Sequence, residues 1–415
     1  MKYFFEKFSI FLLFSFVILN QGFSNIGIAG IPIFQLLSVL LIFTLLILYP
    51  KSFNKFPKKL IKPSFLLIGY SLLIFLSSFF NGSSIIRIVQ DFELIYNLGY
   101  VLIGFFIAHQ LKEEKTIQLM NYLFILCLIF SIIFFSFESQ IRQLSPIVGI
   151  FREQYLLGNI IGHYYLLMIA GFFYLYASPL NQFNLLFFPV FIAASLFEQK
   201  RFSIIIFIIF FFNYLYHSSS KRKYQSVFGL LLVVLLLTFF NTLNLQGVRG
   251  NFSLSFFIDL YTSILGSEDN ELSYGVFWRL NIINDSFVLL SNNIRDFIFG
   301  IGFGKPLSLN VDPITNLATR QSHIFLLDTL VRLGAIGLIL TINLYIIFFR
   351  YFFNSYGESR IMNWFYIYSI CILLLSQTNP VLQVIHMAFP IYVLIGFGIY
   401  FIEFSDSRKK NLKSL

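Results

Sequence analysis

The sequence predicts an all-α integral membrane protein with about twelve transmembrane helices, because long apolar runs recur along the whole chain. Hydrophobic residues make up 58% of its 415 positions, charged residues only 12%, and the mean hydropathy is +0.80. A soluble domain carries about 25% charged residues, so this composition needs lipid as its solvent. The 57 Phe and 23 Tyr residues suit lipid-facing and interfacial positions.

Each span is placed on an apolar run of about 20 residues, the length that crosses a bilayer core. Lys2 and Lys7 precede the first run, but no small-residue cleavage site follows and a second run begins at once, which predicts an uncleaved first span. The whole chain, 1–415, is interpreted as one polytopic membrane domain. The spans are expected near 8–24, 28–49, 64–80, 95–110, 118–137, 158–178, 184–198, 202–217, 226–243, 323–349, 363–379 and 387–404.

Lysine and arginine between the spans predict the orientation, because cytoplasmic loops are enriched in both. Cations cluster in every second connection, which places both termini in the cytoplasm. The net charge of +10 comes from these short runs, so it indicates topology rather than binding to nucleic acid. The inner clusters are residues 51–62, 112–115, 221–223, 350–360 and 408–413.

Arginine is distributed differently from lysine, of which only Lys200 and Lys305 fall on the outer side. A guanidinium presents a planar fork that matches phosphate and carboxylate oxygens, whereas an ammonium is a point charge. The outer arginines can be interpreted in two ways. They pair with outer acidic residues or lipid headgroups, or some of them line a cavity for a pyrophosphate-bearing substrate. The outer arginines are Arg87, Arg142, Arg152, Arg201, Arg249, Arg279, Arg295, Arg320 and Arg332.

One long connection, from 244 to 322, lies on the outer side and is expected to bind something. A helix is predicted over 276–293, lying along the membrane surface or capping the bundle, with Arg279 off its apolar stripe. The string from Gly300 to Gly304 lacks the Lys-Ser/Thr ending of a phosphate-binding loop, so a tight turn is predicted there. The stripe consists of Val276, Leu280, Ile283, Phe287 and Leu290.

His323 stands where this loop enters the next span, and Asp328 and Arg332 follow inside an otherwise apolar helix. Ionisable residues at membrane depth are costly and tend to mark a functional path. A structural ion pair between Asp328 and Arg332, and an interfacial His323 without a catalytic part, are the alternatives. Arg201 is a further candidate, because the run from Glu198 forms a charged outer turn between two short spans.

Neither metal nor disulfide chemistry is indicated by the sequence. Cys127 and Cys371 lie inside apolar runs and are expected to be small core residues. No His, Cys or carboxylate cluster has the spacing of metal ligands, so no metal and no cofactor is expected.

At these residues the chain resembles the O-antigen ligase and Wzy-type polysaccharide polymerase superfamily. The strongest match runs from Arg279 through the glycine string to His323, and on to a Gly-x-x-Gly pattern at Gly334 and Gly337. The span number and the single late outer loop also agree, so the resemblance covers most of the chain. Many relatives carry Asn after the histidine, where this chain has Ile324. Ile324 has no polar side chain that could orient the His323 imidazole, as an Asn at this position could.

Two weaker matches extend the resemblance toward the middle of the chain. Arg201 follows a short span, and Arg152 is followed by Gly158-Asn159 at the head of the sixth span. The resemblance implies a metal-independent, inverting glycosyltransferase of the bacterial inner membrane, with its active site facing the periplasm. Such enzymes move a glycan from polyprenyl pyrophosphate to an acceptor hydroxyl.

In this chain, the resemblance implies that His323 acts as the base and that Arg201 and Arg279 stabilise the departing pyrophosphate. The further residues expected to bind pyrophosphate or glycan are Arg152, Arg142, Arg87, Arg320, Asp328 and Arg332. The expected partners are the lipid-linked oligosaccharide as donor and acceptor, the bilayer, and a chain-length regulator protein.

Three functions compete at this stage. A polymerase that joins lipid-linked repeats of an O-antigen or capsule-like glycan is favoured slightly by the missing Asn at position 324. A ligase that passes the finished glycan to a lipid A core is its nearest rival. A flippase for lipid-linked sugars is less favoured, because the chain shows no internal repeat and its polar residues gather at the outer boundary.

Overall fold

The structure, a computed structural model, consists of helices joined by short connections. It describes residues 2–24, 26–28, 31–148, 154–157, 163–176, 182–197, 201–217, 220–242, 246–247, 250–251, 271–308, 321–377 and 382–413. Within these residues, the extended backbone is limited to three antiparallel pairs of two-residue strands. They are β1 and β2 (Gly27–Ile28, Ile31–Pro32), β3 and β4 (Ile147–Val148, Gln154–Tyr155), and β5 and β6 (Gln246–Gly247, Gly250–Asn251).

The helices follow one another along the chain with short 3-10 turns at Pro50–Phe53 and Asn97–Gly99. They are α1 Lys2–Ile18, α2 Asn20–Ser24, α3 Ile33–Leu48, α4 Lys58–Phe80, α5 Ile85–Tyr96, α6 Tyr100–Leu144, α7 His163–Tyr176, α8 Gln182–Phe197, α9 Arg201–His217, α10 Ser220–Thr242, α11 Glu271–Ser291, α12 Ile294–Phe299, α13 Phe325–Asn354, α14 Arg360–Ser376 and α15 Ile385–Lys413.

Several of these helices have the length and composition of membrane spans, which confirms the predicted all-helical membrane class. In the described part of the chain, four apolar stretches are long enough to cross a bilayer: Lys58–Phe80, Ile85–Phe134, Phe325–Asn354 and His386–Phe404. Six shorter apolar helices accompany them. Every predicted span coincides with a helix, and α6 covers two of them with a non-helical residue, Lys112, between. The number of helices that cross stays a prediction.

Helix α15 lies at the centre of the bundle, whereas α4 lies at its edge. Of the apolar stretch of α15, 89% is buried inside the protein, against 22% for α4. Glycines bring α15 against α6: a Cβ on Gly104 would meet the Val393 carbonyl, and one on Gly396 would meet the Val101 carbonyl. Small residues at such crossings let two helix backbones touch, as helices in lipid require.

The connection between the third and fourth predicted spans, which carries Arg87, forms a helix before α6. This helix, α5, buries Ile88 and Leu94 and leaves Arg87 exposed. Its apolar residues recur at helical spacing, a signal that its short length obscured.

The helix in the long connection also differs from expectation. It begins earlier, at Glu271. Ile282, Ser286 and Leu290 are buried, whereas Leu280 and Phe287 of the predicted stripe are each 52% exposed. Arg279 is half-buried. The stripe is therefore divided between a buried and an exposed side, and its placement along the membrane surface stays a prediction.

Helix α13 is broken at Gly334, where φ is +68° and ψ is −172°. The Gly300 turn packs directly against the break, since a Cβ on Gly334 would clash with the Ile298 carbonyl and the Gly300 nitrogen. The freed carbonyls find donors: Val331 accepts from the Ile301 N–H at 2.8 Å, and Leu333 from the Tyr70 hydroxyl at 2.9 Å. Broken backbone at membrane depth needs such partners because lipid offers none.

Because Gly334 combines a positive φ with a close backbone contact, its substitution tests the fold at the break in α13. We expect Gly334→Ala to lower the free energy of unfolding by about 2–5 kcal/mol, the sum of left-handed strain and overpacking. Gly69→Ala is the matched control, because Gly69 lies in α4 with no atom within 4 Å of the added Cβ. Thermal unfolding of the detergent-purified variants measures both. Equal stability of the two variants would contradict the close contact between the Gly300 turn and α13.

Candidate functional site

A polar cleft lies where α5, the first turns of α13 and the turn before α15 meet. Its walls come from segments far apart in the sequence, and most of them are apolar helices. The lining residues are Asp91, Leu94, Gln321, Asp328, Arg332 and Gln383. Ionisable side chains gathered in this way inside an apolar bundle identify the cleft as the candidate site.

A buried ion pair joins α5 to α13. Arg332 Nη1 lies 3.1 Å from Asp91 Oδ2, and the two side chains are 3% and 5% exposed. The same nitrogen donates to the backbone carbonyls of Gly302 and Lys305, while the Gly304 N–H donates to Asp91 Oδ2 at 2.6 Å. The pair therefore holds the glycine turn against both helices. The alternative considered from the sequence had paired Arg332 with Asp328 instead.

The glycine turn forms as predicted, with a reason for each glycine. Gly300, Gly302 and Gly304 all have positive φ, the left-handed region that glycine adopts without strain. A Cβ on Gly302 would press on the Ser78 hydroxyl, which accepts the Phe303 N–H at 2.9 Å. The turn is thus a close-packed support for the cleft.

Asp328 closes the other side of the cleft. Its Oδ1 accepts the Ser322 N–H at 2.8 Å, and its Oδ2 accepts from Gln383 Nε2. Gln383 is itself held through its backbone carbonyl, which accepts from Asn97 Nδ2 at 2.8 Å. The carboxylate of Asp328 therefore ties the turn that carries His323 to the turn that precedes α15.

His323 occupies a left-handed backbone conformation, with φ of +62°, in the turn that starts α13. The Ser322 hydroxyl accepts the Ile324 N–H at 3.1 Å and so bridges the two sides of His323. Left-handed conformations cost energy for residues other than glycine and cluster at functional sites. The strained turn therefore makes His323 a candidate functional residue.

The His323 ring packs edge-on against Trp278 of α11, with ring centroids 5.4 Å apart and an interplanar angle of 71°. Trp278 precedes Arg279, so this contact brings the candidate base and a candidate pyrophosphate-binding arginine to the same end of the bundle. The buried indole N–H of Trp278 has no hydrogen-bond partner among the described residues. Sequence reasoning missed Trp278, although its position next to Arg279 on a predicted helix was a signal.

The remaining predicted residues are distributed as follows. Arg142 forms an ion pair with Glu138 at 2.6 Å, with side chains 42% and 48% exposed. Arg87 is exposed in the first turn of α5, one turn before Asp91. Arg201 is the first residue of α9, and its backbone alone is described. Arg152 and Arg320 lie outside the described residues.

Among the described residues, no group of three His, Cys, Asp or Glu side chains is placed to hold a metal ion. Cys127 and Cys371 are both buried. The described side chains that line the cleft supply two carboxylates, two amides and one guanidinium group.

Comparison with known proteins adds no relative, since no protein-family model and no curated protein matches the chain. The functional interpretation therefore depends on the residues of the site.

The contribution of the buried Asp91–Arg332 pair to stability can be compared with that of the exposed Glu138–Arg142 pair. We expect Asp91→Ala to lower the free energy of unfolding by about 3–5 kcal/mol, because it leaves the Arg332 charge buried and uncompensated. Glu138→Ala, which breaks the exposed pair with Arg142, is expected to cost about 0–1 kcal/mol. The combined change Asp91→Leu and Arg332→Met should recover part of the loss. Thermal unfolding in detergent measures all three, and similar losses for the two alanine variants would refute a buried pair.

Proposed function

We propose that the chain is a membrane-embedded glycosyltransferase that polymerises oligosaccharide repeats carried on polyprenyl pyrophosphate. The contact between His323 and Trp278 carries this proposal, because it joins the α13 turn to the helix that bears Arg279. A left-handed histidine, a half-buried arginine and an unpartnered indole N–H at one place form a set suited to proton removal and anion binding.

The proposed setting is the bacterial inner membrane, with twelve spans, both termini in the cytoplasm and the connection 244–322 in the periplasm. The positions of lysine and arginine between the spans support this orientation. The agreement of each predicted span with a helix supports the count. A polyprenyl-linked substrate fits this setting, because its lipid stays in the bilayer while its pyrophosphate and glycan reach the outer boundary.

The proposed step transfers the growing glycan from its polyprenyl pyrophosphate to a hydroxyl of the next lipid-linked repeat. The acceptor oxygen attacks the anomeric carbon, the bond from that carbon to the pyrophosphate oxygen breaks, and its electron pair leaves with the pyrophosphate. His323 takes the proton of the acceptor hydroxyl, as a neutral imidazole does near neutral pH. Arg279 and Arg201 stabilise the charge that builds on the leaving group.

Two other functions would use the same architecture. An O-antigen ligase would transfer the finished glycan to a lipid A core, and cells lacking it would attach no repeats to the core, whereas cells lacking a polymerase would attach single repeats. A flippase for lipid-linked sugars would move its substrate without breaking a glycosidic bond. Ile324 after His323 favours the polymerase, since many of the ligases that the chain resembles have Asn there.

Reconstitution tests the proposal directly. Purified protein in liposomes, supplied with a polyprenyl-pyrophosphate oligosaccharide, is expected to form a ladder of polymers without ATP and in the presence of EDTA. His323→Ala and Arg201→Ala should each lower the rate at least about 100-fold while the protein stays folded, because they remove the base and a leaving-group partner.

His217→Ala is the matched control, since His217 hydrogen-bonds Tyr356 at a separate place in the bundle. Its rate should equal that of the wild type. Normal polymer ladders from the His323 variant would eliminate the catalytic assignment. Transbilayer movement of the lipid without polymer would favour the flippase.

A further inference from the structure

Gln383 presents a buried hydrogen-bond acceptor that no group among the described residues satisfies. Its side chain is part of the cleft wall, and the residue is 2% exposed. Nε2 donates to Asp328, but Oε1 has no hydrogen-bond partner in the part of the chain that the structure describes. Because an unsatisfied buried acceptor is costly, a ligand or a water that donates to this oxygen is expected.

The surroundings of Gln383 define the chemistry of that ligand. Among the described residues that line the cleft, Asp91 and Asp328 bring two carboxylates against one guanidinium, that of Arg332. Arg332 Nη1 is already engaged by Asp91 and by backbone carbonyls. The described lining is therefore rich in acceptors and carries a formal net negative charge, which disfavours a phosphate and favours a group that donates hydrogen bonds.

The backbone places this cleft beside the proposed base. Gln321 lines the cleft, and the next residue, Ser322, donates its N–H to Asp328 at 2.8 Å. His323 follows at once, in the left-handed conformation that turns the chain into α13. A sugar with one group in the cleft would therefore lie next to the turn that carries the His323 imidazole.

We propose that this cleft is the acceptor subsite and that Gln383 Oε1 binds one donor group, a hydroxyl or an amide N–H, of the acceptor glycan. The inference rests on the proposed function and assigns the cleft to the glycan that is attacked, not to the pyrophosphate of the donor. Gln383 is then a specificity residue: it selects acceptors that carry a donor group at one position of the ring. A site built to hydrogen-bond a hydroxyl rejects the analogue that lacks it, because its own polar group stays unpaired.

The test combines a protein change with a ligand change. The probes are the alkyl glycoside of one repeat unit, used as a water-soluble acceptor, and a series of its monodeoxy and, where present, deacetamido analogues. With the wild-type protein in liposomes, one analogue should raise the acceptor KM by about tenfold to a hundredfold, the effect of one lost hydrogen bond to a buried partner. Gln383→Leu should raise the KM of the parent acceptor by a similar factor. In this variant, the KM of the sensitive analogue should equal that of the parent acceptor.

The KM of the donor distinguishes a role of Gln383 in acceptor binding from a general loss of structure at the active site. It should change less than twofold in Gln383→Leu, because the subsite does not contact the donor pyrophosphate. Gln110→Leu is the matched control: Gln110 lies in α6, bonded to Ser52, and its loss should leave both KM values unchanged. Gln383→Asn keeps an amide but withdraws its carbonyl oxygen by one methylene, so it should raise the KM of the parent acceptor and reduce the penalty for the sensitive analogue, which preserves the test if the leucine variant does not fold.

Several results would overturn the subsite. One is a Gln383→Leu protein with an unchanged acceptor KM, which would mean that a structural water alone satisfies Oε1. Another is a Gln383→Leu protein in which each analogue raises the KM, relative to the parent acceptor, by the same factor as in the wild type. A Na+ or K+ requirement that disappears in this variant would make the cleft a cation site. A wild-type protein that transfers to no acceptor would instead count against the proposed function itself.

Discussion

The buried ion pair between Asp91 and Arg332 is the constraint on which the candidate site depends. Two charges with side chains 3% and 5% exposed are stable only when they are paired and their remaining donors and acceptors are used. Here the Gly304 N–H donates to Asp91, and the carbonyls of Gly302 and Lys305 accept from Arg332. The pair therefore fixes α5, the glycine turn and the first turns of α13 relative to one another. Removing either charge would loosen all three at once.

The glycines of the family-like motif have a common physical purpose in this arrangement. Gly334 breaks α13 in a left-handed conformation, and the Gly300 turn fills the space beside the break so closely that neither residue has room for a Cβ. The break separates the first turns of α13, which carry Asp328 and Arg332, from the long apolar part of the helix. A polar, irregular segment can then exist inside an apolar bundle, because protein groups rather than lipid satisfy its backbone.

Hydropathy and glycine chemistry were readable in the sequence, whereas contacts between distant segments were not. Apolar runs predicted the helices because lipid imposes their length and composition, and the Gly300 string predicted a turn because its conformation is local. Asp91 lies far from Arg332 in the chain, so the pattern favoured the nearer Asp328 as its partner. The burial of α11 was not readable for a related reason: in a membrane protein Leu280 and Phe287 can face outward, and Ser286 can be buried.

The proposed function requires the His323 turn to face outward and to lie beside the place where Arg279 binds the lipid-linked pyrophosphate. A His323→Cys variant tests both parts, because the native Cys127 and Cys371 are buried and contribute little background. A membrane-impermeant maleimide added to spheroplasts should label the new thiol from outside, and undecaprenyl pyrophosphate should slow that labelling. Labelling only after permeabilisation, or at a rate that the lipid leaves unchanged, would contradict the account.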